Sequence, residues 1–151
     1  MKLVTYTEEI LEKSWVWLND PEIKYLTNTP DFTREGQRKW FDNLPNNPNY
    51  WVKGIEYNNE VIGVAGLKFI DLENKKAEYF GYIGDKNYWG KGLSERLFPL
   101  IYRAAIDNFG LKGLYLNVIP QNTRAIKAYE KAGFKVTEMT DVNVKMTLNL
   151  Y

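Results

Sequence analysis

The sequence predicts a mixed α/β domain with one central β-sheet flanked by helices. Alternating apolar residues interrupted by short polar turns run from residue 50 to residue 84, a pattern typical of an antiparallel β meander. From residue 92 onward, segments with helical spacing of apolar residues alternate with single strands. The chain of 151 residues contains no repeat or low-complexity tract, so we expect residues 1–151 to form a single domain around one core.

The N-terminal third is predicted to contain one strand and two helices. Residues 2–6 alternate as a short opening strand. A helix over residues 8–18 begins after Thr7, a favourable N-cap, and ends in a polar turn at residues 19–21. A second helix is predicted over residues 33–44, with a threonine as its N-cap.

The remaining elements follow in the order strand, strand, strand, helix, strand, helix, strand. They are predicted over residues 50–57, 61–70, 77–84, 92–109, 114–119, 122–132 and 145–151. Gly110 and Gly133 follow the last two helices, where glycine commonly ends a helix. We expect Met146 and Leu148 of the final strand to be exposed, which leaves open a monomer or a homodimer formed through this strand.

Two residue types are absent, cysteine and histidine. Their absence excludes disulfides, thiolate nucleophiles, Cys/His zinc sites and a histidine base. A net charge of +1 gives no basic field for nucleic acid. No apolar run approaches the ~20 residues of a membrane helix, and the N-terminus lacks a signal-peptide pattern. We therefore expect a cytoplasmic protein without metal, nucleic-acid or membrane partners, whose proton transfers use Asp, Glu, Tyr, Lys or water.

A glycine-containing turn lies between the predicted strand 77–84 and the predicted helix 92–109. Residues 82–95 read YIGDKNYWGKGLSE. The glycines allow successive backbone N–H groups to point to one side, with the dipole of the helix behind them and Lys91 at the rim. The spacing matches neither a Walker A loop nor a dinucleotide fingerprint. Taken alone, the segment indicates either a pyrophosphate-binding turn or an ordinary strand-to-helix turn.

A second motif, NTRAIKAYEKAGF, spans residues 122–134. It places Asn122 at a helix start and Tyr129 two turns later on nearly the same helix face. In this order and spacing, the two motifs resemble the GNAT superfamily of acetyl-CoA-dependent N-acetyltransferases over residues 50–138. The stretch DKNYWGKGLSE is similar to the branch that acetylates ribosomal-protein N-termini and many small amines, although Ser94 stands where that branch has a smaller residue.

The resemblance implies a GNAT-type domain that transfers acetyl from acetyl-CoA directly to an amine, without a covalent intermediate. The pantetheine arm would pair with the backbone of Tyr82, Ile83 and Gly84, and Asn122 would also bond it. The Tyr129 hydroxyl would protonate the departing thiolate as a general acid. The pyrophosphate would meet the loop, whose implied cofactor-binding residues are Trp89, Gly90, Lys91, Gly92, Leu93, Ser94 and Glu95.

The general base has several candidates. Some relatives carry a carboxylate at the position of Asn117, an amide that cannot accept the proton. Glu78 is the remaining side-chain candidate, because aromatic neighbours would partly desolvate its carboxylate and make it a better base. Alternatively, Glu78 lies on the solvent face and pairs with Lys75 or Lys76. A water relay is the third possibility.

The acceptor is expected to be a primary amine of a small molecule. Residues 17–23, WLNDPEI, are similar to a segment of members that acetylate amino groups on nucleotide-linked sugars, including the pseudaminic acid pathway acetyltransferases. Trp15 and Trp17 could stack on a sugar or a base, or belong to the core. An amino sugar linked to a nucleotide is therefore the preferred acceptor. The alternatives are N-terminal acetylation of a protein or peptide and a non-catalytic acyl-CoA-binding module.

Overall fold

The computed structural model describes residues 1–151 and contains one mixed sheet with helices on both faces. The strands are β1 (Lys2–Thr5), β2 (Trp51–Tyr57), β3 (Glu60–Asp71), β4 (Lys76–Ile83), β5 (Gly113–Val118), β6 (Lys135–Met139) and β7 (Val144–Asn149). The helices are α1 (Glu8–Asn19), α2 (Pro21–Leu26), α3 (Arg34–Asn43), α4 (Ser94–Phe109) and α5 (Thr123–Lys131). The predicted α/β class is confirmed.

The seven-stranded sheet, in the order β1-β2-β3-β4-β5-β7-β6, consists of two antiparallel groups. β1 to β4 form the first group and β5, β7 and β6 form the second. The groups meet where β4 and β5 run parallel, and the last pair there joins Glu78 to Tyr115. Beyond this pair the two strands continue without pairing. We call the opening between residues 79–83 of β4 and 116–118 of β5 the β4–β5 cleft.

The two faces of the sheet bury different helices. α4 and α5 pack over one face, where the large core includes Phe98, Ile101 and Leu116. α1 and α3 cover β1 to β4 on the other face, around a smaller core that includes Ile10. Because neighbouring strand residues point to opposite faces, Tyr79 lies toward α4 and α5, whereas residues 78, 80 and 82 lie toward the face of α1 and α3.

Two elements were not predicted from the sequence. α2 occupies the region after the predicted turn at 19–21, because Asp20 accepts hydrogen bonds from the amides of Glu22 (3.0 Å) and Ile23 (3.2 Å) and Pro21 takes the first helical position. This N-cap followed by proline is a helix-start signal that the sequence already contained. β6 was missed because its residues are exposed along its whole length, which leaves no apolar alternation to detect.

The expected exposure of the final strand is wrong at Met146. This side chain is 0% exposed, and β7 lies inside the sheet between β5 and β6. The free edges of the sheet belong to β1 and β6. A dimer contact through the edge of β7 is therefore not available.

Trp17 attaches the C-terminal half of α1 to the end of β4. Its ring meets Tyr82 edge to face, with centroids 6.2 Å apart. Gly84 lies directly beneath the indole, and a Cβ added there would overlap the indole carbons. The glycine at position 84 is therefore required by the packing of Trp17.

We expect Gly84→Ala to destabilise the protein by about 1–3 kcal/mol, because the new methyl group must displace the indole or the backbone. Urea unfolding monitored by tryptophan fluorescence measures this change. Gly113→Ala is the matched control: its Cβ would meet only the Leu148 carbonyl, at 3.4 Å. A loss for Gly84→Ala no larger than for the control would contradict this packing argument.

Candidate active site

The β4 edge of the cleft carries unpaired backbone groups. The Gly84 amide donates to the Ile62 carbonyl at 2.8 Å, so the even-numbered residues of β4 bond to β3. The backbone groups of Gly81 and Ile83 consequently face the cleft. Of the three residues expected to pair with a pantetheine arm, only Ile83 directs its N–H toward the cleft.

Tyr82 directs its side chain toward α1, on the face of the sheet that α1 and α3 cover. Its ring packs against Trp17, and its hydroxyl is buried without a hydrogen-bond partner. Burial raises the pKa of Tyr82 well above its usual value. Because its backbone bonds to β3, Tyr82 presents no backbone group to the cleft, and its expected pairing with a pantetheine arm is not supported.

The loop before α4 presents a row of free hydrogen-bond donors. The N–H groups from Gly90 to Ser94 have no acceptor within the chain, and Leu93, at the N-cap, provides no side-chain cap. Gly90 (φ +72°) and Gly92 (φ +69°) adopt left-handed conformations that favour glycine. The Glu95 amide already bonds the Gly92 carbonyl at 3.2 Å. Free donors at the positive end of a helix dipole bind phosphate groups.

Trp89 anchors this loop to β4. Its Nε1 donates to the Ile83 carbonyl at 2.7 Å. The indole also contacts two cations, with Lys86 Nζ 5.6 Å and Arg124 Cζ 5.9 Å from the ring centroid. Arg124 was not among the predicted site residues, although it lies inside the second motif. Together with the exposed Lys91, it makes the surroundings of the loop cationic.

The side chain of Asn122 bonds to both α5 and α2. Its Oδ1 accepts from the Ala125 amide at 3.2 Å as the N-cap of α5, and its Nδ2 donates to the Leu26 carbonyl at 3.3 Å. Both polar groups of the side chain are thus engaged within the protein. The role expected for Asn122, bonding a pantetheine arm, would require the bond to α2 to open.

The N-terminal end of α2 is held by Lys86, which follows β4. Its ammonium lies 3.0 Å from Asp20 Oδ2 and 2.9 Å from Glu22 Oε1. Because Asn122 follows β5 and Lys86 follows β4, α2 is attached to both sides of the β4–β5 cleft. It therefore lies across the C-terminal end of this opening.

Tyr129 lies on the α5 side of the sheet, in an aromatic cluster. Its ring centroid is 6.2 Å from Tyr79, 5.8 Å from Phe98 and 6.1 Å from Phe134. Burial raises the pKa of Tyr129 to about 12, with no hydrogen bond contributing to the shift. The phenol is therefore protonated at neutral pH and can donate a proton.

Glu78 occupies the last paired position of β4 before the cleft. Only 12% of its side chain is exposed. Its Oε1 accepts from Asn117 Nδ2 at 3.0 Å, and its Oε2 lies 3.4 Å from Lys68 Nζ. The expected alternative of pairing with Lys75 or Lys76 is not observed, because Lys68 on the neighbouring strand β3 takes that position.

The candidate acid and base lie on opposite faces of the sheet. Tyr79 contacts Tyr129, so its neighbour Glu78 points to the other face. Both positions adjoin the β4–β5 cleft. A substrate in the cleft would therefore have a proton donor on one side and a carboxylate on the other, an arrangement suited to acyl transfer between two groups that approach from opposite faces.

The aromatic residues beside Glu78 are not the tryptophans singled out in the sequence. Trp15 packs against Phe32, with centroids 5.1 Å apart, within the α1–α3 region. On the Glu78 face, Tyr50 contacts Phe80 at 6.3 Å. Phe69, in a β-bulge of β3 and 55% exposed, contacts Tyr50 at 6.2 Å. Lys68 lies over Phe69 and Phe80, at 5.4 and 5.8 Å.

No cluster of three or more Asp, Glu, His or Cys side chains is arranged to hold a metal ion. No helix is long and apolar enough to cross a bilayer.

The free amides before α4, the open strand pair and the phenol of Tyr129 are the features that the resemblance to an acetyl-CoA-dependent acyltransferase implies. The family model described as "Acetyltransferase (GNAT) family" matches residues 7–134. The uncharacterized N-acetyltransferase p20 of Bacillus licheniformis is 30% identical over 134 residues, which cover 84% of this chain and 72% of the relative. The chain belongs to the GNAT family of acetyltransferases.

Solved structures share the fold at low sequence identity. The spermidine N-acetyltransferase from Vibrio cholerae, in complex with CoA and spermine, aligns with a TM-score of 0.87 and 17% identity, covering 99% of this chain and 95% of that one. The N-acetyltransferase PseH from Campylobacter jejuni aligns with a TM-score of 0.75 and 18% identity, covering 98% and 96%. The GNAT-type fold implied by the resemblance is therefore confirmed.

Acidification is expected to release α2 selectively. The hydrogen bond from Lys86, followed by that from the Ile23 amide, holds the pKa of Asp20 below its ordinary value of 3.8. Because the folded pKa is the lower one, this stabilisation is complete above about pH 4 and is lost as the pH falls through the folded pKa.

Hydrogen exchange, corrected for intrinsic rates, measures this release. Protection of the α2 amides should fall relative to α4 as the pH drops below about 4. In Lys86→Ala, α2 should already be less protected at neutral pH, and its protection should depend less on pH. Equal protection of α2 in the two proteins at neutral pH would contradict the role of Lys86.

Proposed function

We propose that this acetyltransferase uses its single domain, residues 1–151, to transfer the acetyl group of acetyl-CoA to the primary amine of a nucleotide-linked amino sugar. The observation that carries this acceptor class is the surroundings of Glu78. One carboxylate is bordered by cationic and aromatic side chains, which suit a ligand that combines an amine, rings and negative charge.

The coenzyme is assigned to the cleft and the loop before α4. The free amides from Gly90 to Ser94 bind its pyrophosphate, with Lys91 and Arg124 as nearby cations. The N–H of Ile83 pairs with the pantetheine arm along β4. This arrangement directs the thioester toward the point where β4 and β5 separate, next to Glu78 and Tyr129.

The reaction then needs three proton transfers. The acceptor arrives as an ammonium with a pKa of about 10, and Glu78 takes the proton that blocks the nitrogen lone pair. The nitrogen forms a bond to the acetyl carbon, the carbon–sulfur bond breaks, and Tyr129 gives its proton to the sulfur. The nitrogen then gives up its second proton, which passes through water to the tyrosinate and restores Tyr129. A water molecule between Glu78 and the ammonium is compatible with the same roles.

The charges near Glu78 favour an anionic acceptor over a polyamine. Lys68 lies beside the carboxylate, and Lys145 Nζ lies 5.1 Å from the ring of Tyr115, the partner of Glu78 on β5. These ammonium groups attract phosphate and repel a second or third amine of a polycation. The exposed ring of Phe69 and its neighbour Tyr50 offer stacking surfaces for a base or a sugar.

Spermidine is the second candidate acceptor, since a Vibrio cholerae structure with this fold is a spermidine N-acetyltransferase. The test is release of free thiol from acetyl-CoA with a panel of amines: UDP-linked amino sugars, the free amino sugars, spermidine and a peptide with a free N-terminus. We expect the largest kcat/KM for a nucleotide-linked amino sugar. A preference for spermidine or the peptide would overturn the acceptor class, and no thiol release with any amine would overturn the enzymatic role.

Tyr129→Phe should lower kcat about 100-fold and leave the KM for acetyl-CoA unchanged, because only the transferable proton is removed. Tyr102→Phe is the matched control. This tyrosine lies in the same aromatic cluster and also has a pKa raised to about 12, but its hydroxyl donates to the Ala132 carbonyl at 2.7 Å. Equal rates for Tyr129→Phe and the control would remove Tyr129 as the acid.

A further inference from the structure

A chain of hydrogen bonds from two asparagines ends on Glu78. Asn143 Nδ2 donates to Asn117 Oδ1 at 2.9 Å, and Asn117 Nδ2 donates to Glu78 Oε1 at 3.0 Å. The other carboxylate oxygen, Oε2, faces Lys68 Nζ at 3.4 Å. The chain thus runs from the residue before β7, through β5 and β4, to β3, along one face of the sheet.

The direction of these bonds fixes the Asn117 amide. Its oxygen can only accept and its nitrogen can only donate. If the amide were reversed, its oxygen would face the Glu78 carboxylate and its NH₂ group would face that of Asn143. The Glu78 carboxylate therefore fixes the orientation of Asn117, and Asn143 Nδ2 donates to the oxygen that this orientation presents.

Asn143 itself is placed by the backbone of the β6–β7 turn. Its N–H donates to Thr140 Oγ1 at 3.0 Å, and its carbonyl accepts from the Thr140 amide at 2.8 Å. Its only side-chain bond is the one to Asn117. Replacing Asn143 with alanine therefore removes one contact of the chain and leaves the turn intact.

We propose that Asn117 and Asn143 are positioning residues that aim the Glu78 carboxylate at the acceptor amine. Because Asn117 donates a hydrogen bond to Oε1 of Glu78, Oε2 is the oxygen presented to a cation. The ammonium of Lys68 lies next to Oε2 in the structure, and the ammonium of the acceptor competes with it for this oxygen. This role rests on the proposed function, in which Glu78 takes the proton from the acceptor.

The test is a double-mutant cycle with thiol release as the assay and the best amine of the panel as acceptor. Asn117→Ala should lower kcat about tenfold, since a misaimed base loses reactive geometry. Asn143→Ala should lower it about threefold, the effect of one neutral hydrogen bond. The KM for acetyl-CoA should not change in either variant. In a Glu78→Gln background, neither substitution should lower kcat further, because both act through Glu78.

Asn149→Ala is the control, because Asn149 is an exposed asparagine at the far end of β7 without a side-chain hydrogen bond. The kcat of this variant should equal that of the wild type. Full losses that persist in the Glu78→Gln background, or unchanged kcat in both asparagine variants, would overturn the positioning role alone. A wild-type chain that releases no thiol with any amine would overturn this role together with the proposed function.

Discussion

The separation of β4 from β5 after Glu78 is the constraint on which the rest of the site depends. Parallel pairing joins Lys76, Ala77 and Glu78 to residues 113–115 and then stops, although both strands continue. The separation leaves backbone donors of β4 unpaired within the sheet. It also connects the two faces of the sheet through one opening, so that Tyr129 on α5 and Glu78 on the other face adjoin the same cleft.

Three attachments border the cleft at the C-terminal ends of the strands. Asn122, which follows β5, bonds the last residue of α2. Lys86, which follows β4, pairs with the acidic residues at the start of α2. The Trp89 indole ties the loop before α4 to the last residue of β4. Each attachment spans elements that are distant in sequence. The geometry of the loop, the cleft and α2 is therefore set jointly, and a change in one attachment affects the others.

Much of this arrangement could be predicted from residue patterns, because the signals are local. The free amides near Gly90 and Gly92, the cap at Asn122 and the helical face of Tyr129 follow from motifs within single segments. Lys68 could not be found in this way, because its contact with Glu78 depends on the register of β3 against β4. As an amide, Asn117 cannot accept a proton, so the sequence indicates no role for it beside Glu78. Its bond to Glu78 crosses the separation between β4 and β5, which no spacing in the sequence predicts.

The contacts within the sheet differ in how far apart their residues lie in the sequence. The hairpins β2–β3, β3–β4 and β6–β7 are each closed by short turns, so their contacts form between near neighbours. The parallel contact of β4 with β5 closes only after the whole of α4 has been accommodated, and long-range closure of this kind is slow. The pairing of β1 with β2 closes a still longer segment, α1 to α3, so we expect this pairing and the opening between β4 and β5 to be completed after the hairpins.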